Sequence, residues 1–366
     1  MGFNCGIVGL PNVGKSTIFN ALTSAKAEAA NYPFCTIEPN TGIVAVPDTR
    51  LAQLAGIAGS QKIIPTAMEF VDIAGLVKGA SKGEGLGNQF LGHIRAVDAI
   101  AHVVRCFTDE NIVHVDTKIS PRNDIEVIET ELLLSDLESV EKRIDRLGKK
   151  AKTGDKESKL LLTSLEFAKS YLDRGIWLNK VVDEEGFLKN LDLLTAKPMF
   201  FVANVDESLV TKQQGDSADG LLGELFAVAK EKNIDVVVIS GAVESEISQL
   251  DMEERKEFLG DLGLSSSGLD RLAAQGHKIL NLITFFTCGP KETRAWTVKQ
   301  NASAPQAAGV IHSDFEKGFI RAEVISFADY IACKGEQGAK DKGLLRVEGK
   351  TYLMCDGDVV HFRFNV

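Results

Sequence analysis

The stretch Gly9-Leu10-Pro11-Asn12-Val13-Gly14-Lys15-Ser16-Thr17 matches the pattern G-x-x-x-x-G-K-[ST]. It lies between a predicted strand at residues 3–8 and a predicted helix at 17–22. In that setting glycines let backbone N–H groups surround phosphate oxygens, and the helix N-terminus adds the positive end of its dipole. We expect Lys15 to contact the β- and γ-phosphates and Ser16 to bind Mg²⁺. The stretch therefore predicts an α/β domain that binds a nucleotide.

Short apolar runs rich in β-branched residues recur along the chain after this first strand. We predict strands at residues 67–71, 99–105, 199–203 and 235–239. Helix-length segments separate these runs, and such alternation is typical of a sheet covered by helices. The fold class expected is thus α/β, with a Ras-like P-loop NTPase sheet.

Asp72-Ile-Ala-Gly75 follows the predicted strand 67–71. An aspartate at the end of a strand beside a phosphate loop can hold Mg²⁺ through water, and Gly75 can offer its N–H to a γ-phosphate. Thr36, in the loop-like stretch between the two motifs, is a candidate second Mg²⁺ ligand. The glycine-rich segment 75–92 suits a loop that senses the nucleotide.

Asn204-Val-Asp-Glu207 follows the predicted strand 199–203, where guanine-specific proteins of this class carry N-K-x-D. Val205 replaces the lysine that stacks on the base, and Glu207 replaces the aspartate that pairs with guanine. These replacements favour relaxed or adenine-biased recognition. Ser240, Gly241 and Ala242 follow the next predicted strand and can add backbone contacts to the base.

Residues 122–195 have a different pattern, which predicts an inserted antiparallel helical hairpin. Apolar residues spaced 4-3-4-3 are typical of a two-helix contact; they are Leu133, Leu137, Val140, Ile144 and Leu147, followed by Leu161, Leu165, Ala168 and Leu172. The end of the hairpin, Lys142 to Lys159, has eight basic and three acidic residues. It is either a solvated helix end, which base rates favour slightly, or a contact for RNA or another polyanion.

Residues 282–366 predict a small α+β domain of mostly antiparallel strands. The expected strands are 284–286, 294–298, 318–324, 350–353 and 359–364, around one short helix near 327–331. We therefore predict three domains: an NTPase domain from 1–121 and 196–281, the helical insertion 122–195, and the C-terminal domain 282–366.

The composition is that of a soluble globular protein, with 44% hydrophobic and 25% charged residues and a net charge of −10. The acidic total argues against a protein coated in nucleic acid, although the hairpin end is locally basic. No apolar run reaches the roughly 18 to 20 residues of a membrane span, and no signal peptide is expected. Six scattered cysteines indicate neither a zinc site nor a disulfide framework. We expect a cytoplasmic protein.

Taken together, the phosphate loop, the segments 72–92 and 204–207, the helical insertion and the C-terminal domain resemble the YchF (Obg-like ATPase) family. The resemblance implies the Obg branch of the translation-factor-related class of P-loop NTPases, and it covers essentially the whole chain. It implies a preference for ATP over GTP, a central antiparallel coiled coil, a C-terminal TGS domain of β-grasp type and association with ribosomes. By position it implies that residues 12–17 hold the nucleotide and that Ser16 and Thr36 bind Mg²⁺.

The resemblance also implies that no glutamine orients the attacking water. Leu76 follows the D-x-x-G tetrad and cannot hydrogen-bond a water. His114 and His93 are candidates for that role beside Lys15, since water orientation and charge stabilisation together can be worth about 10³- to 10⁵-fold. Asn12 resembles the loop asparagine that positions K⁺ in cation-dependent relatives, so K⁺ is a candidate source of positive charge.

The function expected is a slow Mg²⁺-dependent ATPase that acts as a switch on or near the ribosome. One alternative is a GTPase of the same fold. Another is an RNA- or ribosome-binding module in which the nucleotide is mainly a structural ligand. In that module the Lys142–Lys159 end and the C-terminal domain would contact the RNA or the ribosome. A small-molecule kinase fits less well, because the sequence has no arginine-rich lid segment.

Overall fold

The structure is a computed structural model and describes residues 3–24, 40–73, 86–109, 119–151 and 155–365. These residues form two compact units, and the second joins Ile43–Met68 to Ala273–Val366. The three-domain division expected from the sequence stays a prediction. Among the described residues, no helix combines the length and the apolar character needed to cross a bilayer.

The described strands are β1 (Asn4–Val8), β2 (Thr41–Ala45), β3 (Lys62–Ile64), β4 (Ala67–Asp72), β5 (Ala99–Cys106), β6 (Met199–Val205), β7 (Val236–Ile239), β8 (Leu282–Cys288), β9 (Glu292–Lys299), β10 (Phe319–Ser326), β11 (Arg346–Glu348) and β12 (Asp358–Phe364). The described α-helices are α1 (Lys15–Ser24), α2 (Thr49–Ala58), α3 (Leu86–Ala96), α4 (Pro121–Ala151), α5 (Lys156–Leu172), α6 (Gly220–Lys232), α7 (Gly241–Ile247), α8 (Met252–Asp261), α9 (Gly268–Ile279), α10 (Ala304–Ile311), α11 (Ser313–Lys317), α12 (Phe327–Ala332) and α13 (Glu336–Asp341). Short 3₁₀ helices occupy Leu178–Lys180, Leu194–Ala196 and Glu207–Leu209.

The first sheet has the strand order β2-β4-β1-β5-β6-β7. β1 pairs in parallel with β4 and β5, and the parallel pairing continues through β6 to β7. Every residue of β5 and β6 is buried, as expected for central parallel strands covered on both faces. The five strands predicted for this sheet are confirmed, with ends shifted by a residue or two. Their carboxyl ends meet at one edge of the sheet, where ligands of open α/β sheets bind.

The helical insertion is formed by α4 and α5, which pack against each other. Their contact buries Val140, Leu165, Ala168 and Leu172 fully and includes Leu133, Leu137, Ile144, Leu147 and Leu161 at its margin. The predicted heptad residues thus share one core. The carboxylate of Asp136 attaches this insertion to the chain that leaves it, because it accepts hydrogen bonds from the backbone N–H groups of Leu194 and Thr195. Classification of the pair as an antiparallel coiled coil stays a prediction.

The second sheet has the order β11-β10-β12-β8-β9-β3, with three antiparallel and two parallel pairings. Both of its faces are covered. Successive strand residues point to opposite faces of a sheet, so neighbouring residues join different cores. Phe285 packs into a core with Trp296 and α10, whereas the next residue, Phe286, packs with Leu54 of α2. The α+β character of this part is confirmed, and its β-grasp classification stays a prediction.

Two sequence predictions for this unit are wrong. Residues 350–353 do not form a strand, and only Leu353 makes an isolated bridge, to Ser303. The carbonyl oxygen of Tyr352 accepts from the N–H of Ala304, the first residue of α10, and the N–H of Met354 donates to the carbonyl oxygen of Ala302. The strand lies instead at β11, beside β10. Residues 282–366 also contain four short helices, α10 to α13, rather than one. More than one is needed because the two cores take helical residues from different places: α10 contributes Ala307 to one, and α12 and α13 contribute Tyr330 and Ala339 to the other.

Candidate nucleotide-binding site

The phosphate-loop sequence forms a tight turn between β1 and α1. A Cβ atom at Gly9 would lie 2.5 Å from the carbonyl oxygen of Val103 in β5, so no larger residue fits there. Gly14 has a φ of +95°, and a Cβ atom on it would lie 2.0 Å from the side-chain nitrogen of Asn204. Asn12 also has a positive φ, 62°, which asparagine tolerates better than most residues. The loop is therefore shaped by contact with the strands beside it.

Lys15 lies inside this loop. Its Nζ atom donates hydrogen bonds to the carbonyl oxygens of Gly9 (2.9 Å) and Leu10 (2.7 Å), and its exposed fraction is only 7%. Burial lowers the pKa of Lys15 to about 8, and the nearby carboxylate of Asp72 partly opposes that shift. The ammonium group is thus held at the loop, where an anion entering the cavity would meet it.

Asn204, at the end of β6, joins two loops of the site. Its side-chain Nδ2 donates to the carbonyl oxygen of Val13 at 2.9 Å, and its Oδ1 accepts from the backbone N–H of Gly241 at 2.9 Å. The side chain is buried. The amide therefore fixes the distance between the phosphate loop and the N-terminus of α7, which follows β7.

A cavity of about 520 Å³ opens at this edge of the sheet. Its wall contains most of the residues expected from the sequence, namely Asn12, Gly14, Lys15, Ser16, Thr17, Asn204, Val205, Glu207, Ser240, Gly241 and Ala242. Val13 contributes through its carbonyl bond to Asn204 rather than by lining the cavity. The cavity is large enough for a small-molecule ligand such as a nucleotide.

Asp72 ends β4 and pairs in register with Ile7, two residues before the phosphate loop begins. Burial raises the pKa of its carboxyl group, and Lys15 opposes that shift. Among the described residues there is no cluster of three or more His, Cys, Asp or Glu side chains suited to a metal. The oxygen donors Ser16 and Asp72 nevertheless fit Mg²⁺, which takes few protein ligands and completes its shell with water and phosphate oxygens.

Comparison with known proteins identifies the family. The family model MMR_HSR1, described as "50S ribosome-binding GTPase", matches residues 4–136, and YchF-GTPase_C, described as "Protein of unknown function (DUF933)", matches 282–365. The chain is 56% identical to the "Ribosome-binding ATPase YchF" of Escherichia coli O157:H7 and 52% identical to that of Bacillus subtilis, covering all of both chains in each case. The chain belongs to the YchF family. The structure of the Schizosaccharomyces pombe YchF GTPase is also similar, with a TM-score of 0.85 and 37% identity over 99% of this chain and 98% of that one.

Membership of the YchF family confirms the P-loop NTPase fold expected from the phosphate loop. A GTP-binding protein from Pyrococcus horikoshii shares the fold with a TM-score of 0.61, at 19% identity over 99% of this chain and 100% of that one. The narrower placement in an Obg branch stays a prediction.

Several residues that the YchF resemblance singles out lie outside the described residues. They are Thr36, Gly75, Leu76 and His114, together with most of the glycine-rich segment. Their roles as metal, phosphate or water ligands stay predictions. His93 is described: it is exposed on α3 and does not line the cavity.

Sequence reasoning missed part of the site of this YchF-family protein. Phe107, Thr108 and Asp109 line the cavity after β5, and Asp206 lines it beside Glu207. No motif marks residues 107–109. The available signal was their position, since they directly follow a predicted buried strand of the same sheet.

Proposed function

We propose that this chain is a Mg²⁺-dependent ATPase that acts as a nucleotide-controlled switch on the ribosome. The observation that carries the proposal is the cavity that gathers Lys15 and Ser16 of the phosphate loop with the loops after β6 and β7. The names of the bacterial relatives, "Ribosome-binding ATPase YchF", support the same function.

Within the proposal, the two ends of the nucleotide meet different chemistry. Lys15 and the N-terminus of α1 bind the phosphates, because both present positive charge to the cavity. Mg²⁺, held by Ser16, Asp72 and Thr36, would neutralise phosphate charge. Hydrolysis draws on His114 or on K⁺ at Asn12, in the absence of a water-orienting glutamine after the D-x-x-G tetrad.

Adenine is the base that the wall of the cavity favours. Val205 lines it where guanine-specific proteins have lysine, and Glu207 lines it where they have aspartate. The printed names of relatives differ, since the bacterial proteins are called ATPases and the Schizosaccharomyces pombe protein a GTPase. The choice of base therefore needs a direct measurement.

Turnover in the presence of ribosomes tests the switch. We expect ribosomes to accelerate ATP hydrolysis in a single turnover and to bind the ATP and ADP states with different affinities. Lys15→Ala should lower kcat/KM at least about a hundredfold, as loss of a charge-stabilising group does. Lys169→Ala is the matched control, because Lys169 pairs on the surface of the insertion with Glu141 and Asp173. Undiminished activity of Lys15→Ala, or identical rates and affinities in all states, would contradict the proposal.

The end of the α4–α5 insertion is the proposed contact for ribosomal RNA. Arg143 already donates to the carbonyl oxygen of Leu191, and Lys142 pairs with Glu138. Exposed Arg146, Lys156 and Lys159 are therefore the side chains to reverse. Their replacement by glutamate should weaken ribosome binding and flatten its salt dependence. Loss of binding with an unchanged salt slope would argue against an electrostatic contact there.

A further inference from the structure

Arg105 is a buried cation that the proposed chemistry leaves unused. It is the second-last residue of β5, and its exposed fraction is 0%. A buried guanidinium group is costly unless hydrogen bonds or an aromatic face compensate for lost water. Its partners therefore indicate what this residue does for the molecule.

Two of those partners are backbone carbonyl groups of the loop that follows β5. Nε of Arg105 donates to the carbonyl oxygen of Phe107 at 3.3 Å, and Nη2 donates to that of Asp109 at 3.3 Å. The guanidinium carbon also lies 4.5 Å from the centroid of the Phe107 ring. A single planar side chain thus bonds to the backbone at both 107 and 109 and supports the aromatic ring of Phe107.

The loop itself forms part of the cavity. Phe107, Thr108 and Asp109 have no regular secondary structure, and all three line the cavity. Arg105 does not line it, so it supports this wall from behind. Lys15 and Ser16 belong to a different wall, which the phosphate loop builds from its own backbone.

We propose that Arg105 is a positioning residue for the nucleoside part of the ligand. It holds the loop 107–109 so that the Phe107 ring presents a fixed apolar face to the base, to which aromatic rings bind by stacking. This inference rests on the proposed nucleotide-binding function. The cavity then has two walls: one binds the phosphates and does not need Arg105, and the other binds the nucleoside and does.

Two ligands distinguish the walls: ATP, and inorganic tripolyphosphate, which has the phosphates but neither base nor ribose. Arg105→Lys keeps the charge but loses the planar pair of donors and the flat contact with the ring. We expect it to weaken ATP binding about tenfold, since hydrogen bonds from charged groups are worth that much. Tripolyphosphate affinity should stay within about twofold, because the phosphate loop is untouched.

Arg174→Lys is the matched control. The Arg174 guanidinium lies 4.6 Å from the Tyr171 ring centroid, and its Nε donates to the Ser170 carbonyl oxygen at 2.9 Å, on the surface of the insertion. The Arg174→Lys variant loses the same kinds of contact as Arg105→Lys, but it should bind both ligands like the wild type. Both affinities are measured by titration calorimetry.

The outcomes distinguish a failure of the Arg105 role from a failure of the proposed nucleotide-binding function. An equal loss of both ligands in Arg105→Lys, or no loss of either, overturns the positioning role. Failure of the wild type to bind ATP overturns the proposed function instead. If Arg105→Lys does not fold, Phe107→Leu tests the same wall with Arg105 in place, and unchanged ATP affinity in that variant overturns the inference.

Discussion

Replacement of Asn204 by alanine should destabilise the first unit and loosen the nucleotide site together. The amide makes two buried hydrogen bonds of 2.9 Å, to the carbonyl of Val13 and from the N–H of Gly241. Alanine leaves both backbone groups without that partner, and each such loss costs about 1–3 kcal/mol. We therefore expect a fall of about 2–6 kcal/mol in the free energy of unfolding, the sum of the two losses, with weaker ATP binding.

Urea unfolding followed by tryptophan fluorescence measures this loss. The chain has two tryptophans; Trp177 belongs to the first unit and Trp296 to the second. A Trp296→Phe background therefore makes the signal report on the first unit alone. Asn204→Asp is the shape-matched variant: it keeps the acceptor for Gly241 but places an oxygen against the carbonyl of Val13, so it should be destabilised as well.

Asn179→Ala is the control for a lost asparagine hydrogen bond. Its Nδ2 donates to the Lys197 carbonyl oxygen at 3.0 Å in an exposed setting, where water replaces it. We expect a change within about 0.5 kcal/mol, as for most surface substitutions. If Asn204→Ala unfolds at the same urea concentration as Asn179→Ala, the bridging role of Asn204 is refuted.

Three further predictions concern the electrostatics and the shape of the first unit. Burial lowers the pKa of Lys15 to about 8 from its usual 10.5, so ATP binding near pH 9 should be accompanied by uptake of a proton by Lys15. Calorimetry in buffers of different ionisation enthalpy measures this uptake, and Lys15→Met should abolish it. Burial also lowers the pKa of His102 to about 3, so between about pH 3 and 6.5 only the unfolded state binds a proton on this imidazole. The free energy of unfolding should therefore fall by about 1.4 kcal/mol per pH unit as the pH drops through this range. His102→Leu should remove this acid sensitivity and exposed His361→Gln should not, as thermal melts across that range would show. Gly14→Ala should abolish ATP binding, since its Cβ would lie 2.0 Å from the Asn204 side chain, and retained wild-type affinity would contradict the loop geometry.

The central sheet could be predicted from the sequence because its strands are buried on both faces. β5 and β6 are mostly apolar runs, interrupted only by His102, Arg105 and Asn204, and such runs are typical of central parallel strands. α2 was missed even though its ends carry standard signals: Asp48 caps its N-terminus, and Gly59 follows it with a φ of 62°. Its role in the second unit depends on contacts with strands more than two hundred residues away, which no local pattern contains.

The same limit applies to the site. Membership of the candidate site could be predicted for segments that carry a motif or follow a predicted strand, namely 12–17, 204–207 and 240–242. Phe107 and Arg105 carry no motif. Phe107 lines the cavity, with Arg105 behind it, because β5 lies between β1 and β6. Strand order is a property of the folded sheet rather than of the local sequence.

Calorimetry of Mg²⁺-ATP and Mg²⁺-GTP binding to the wild-type protein, side by side, measures the base preference of the proposed ATPase. Val205 and Glu207 stand where guanine-specific proteins have lysine and aspartate. We expect ATP to bind at least about tenfold more tightly than GTP, a difference of about 1.4 kcal/mol. Tighter binding of GTP would contradict it.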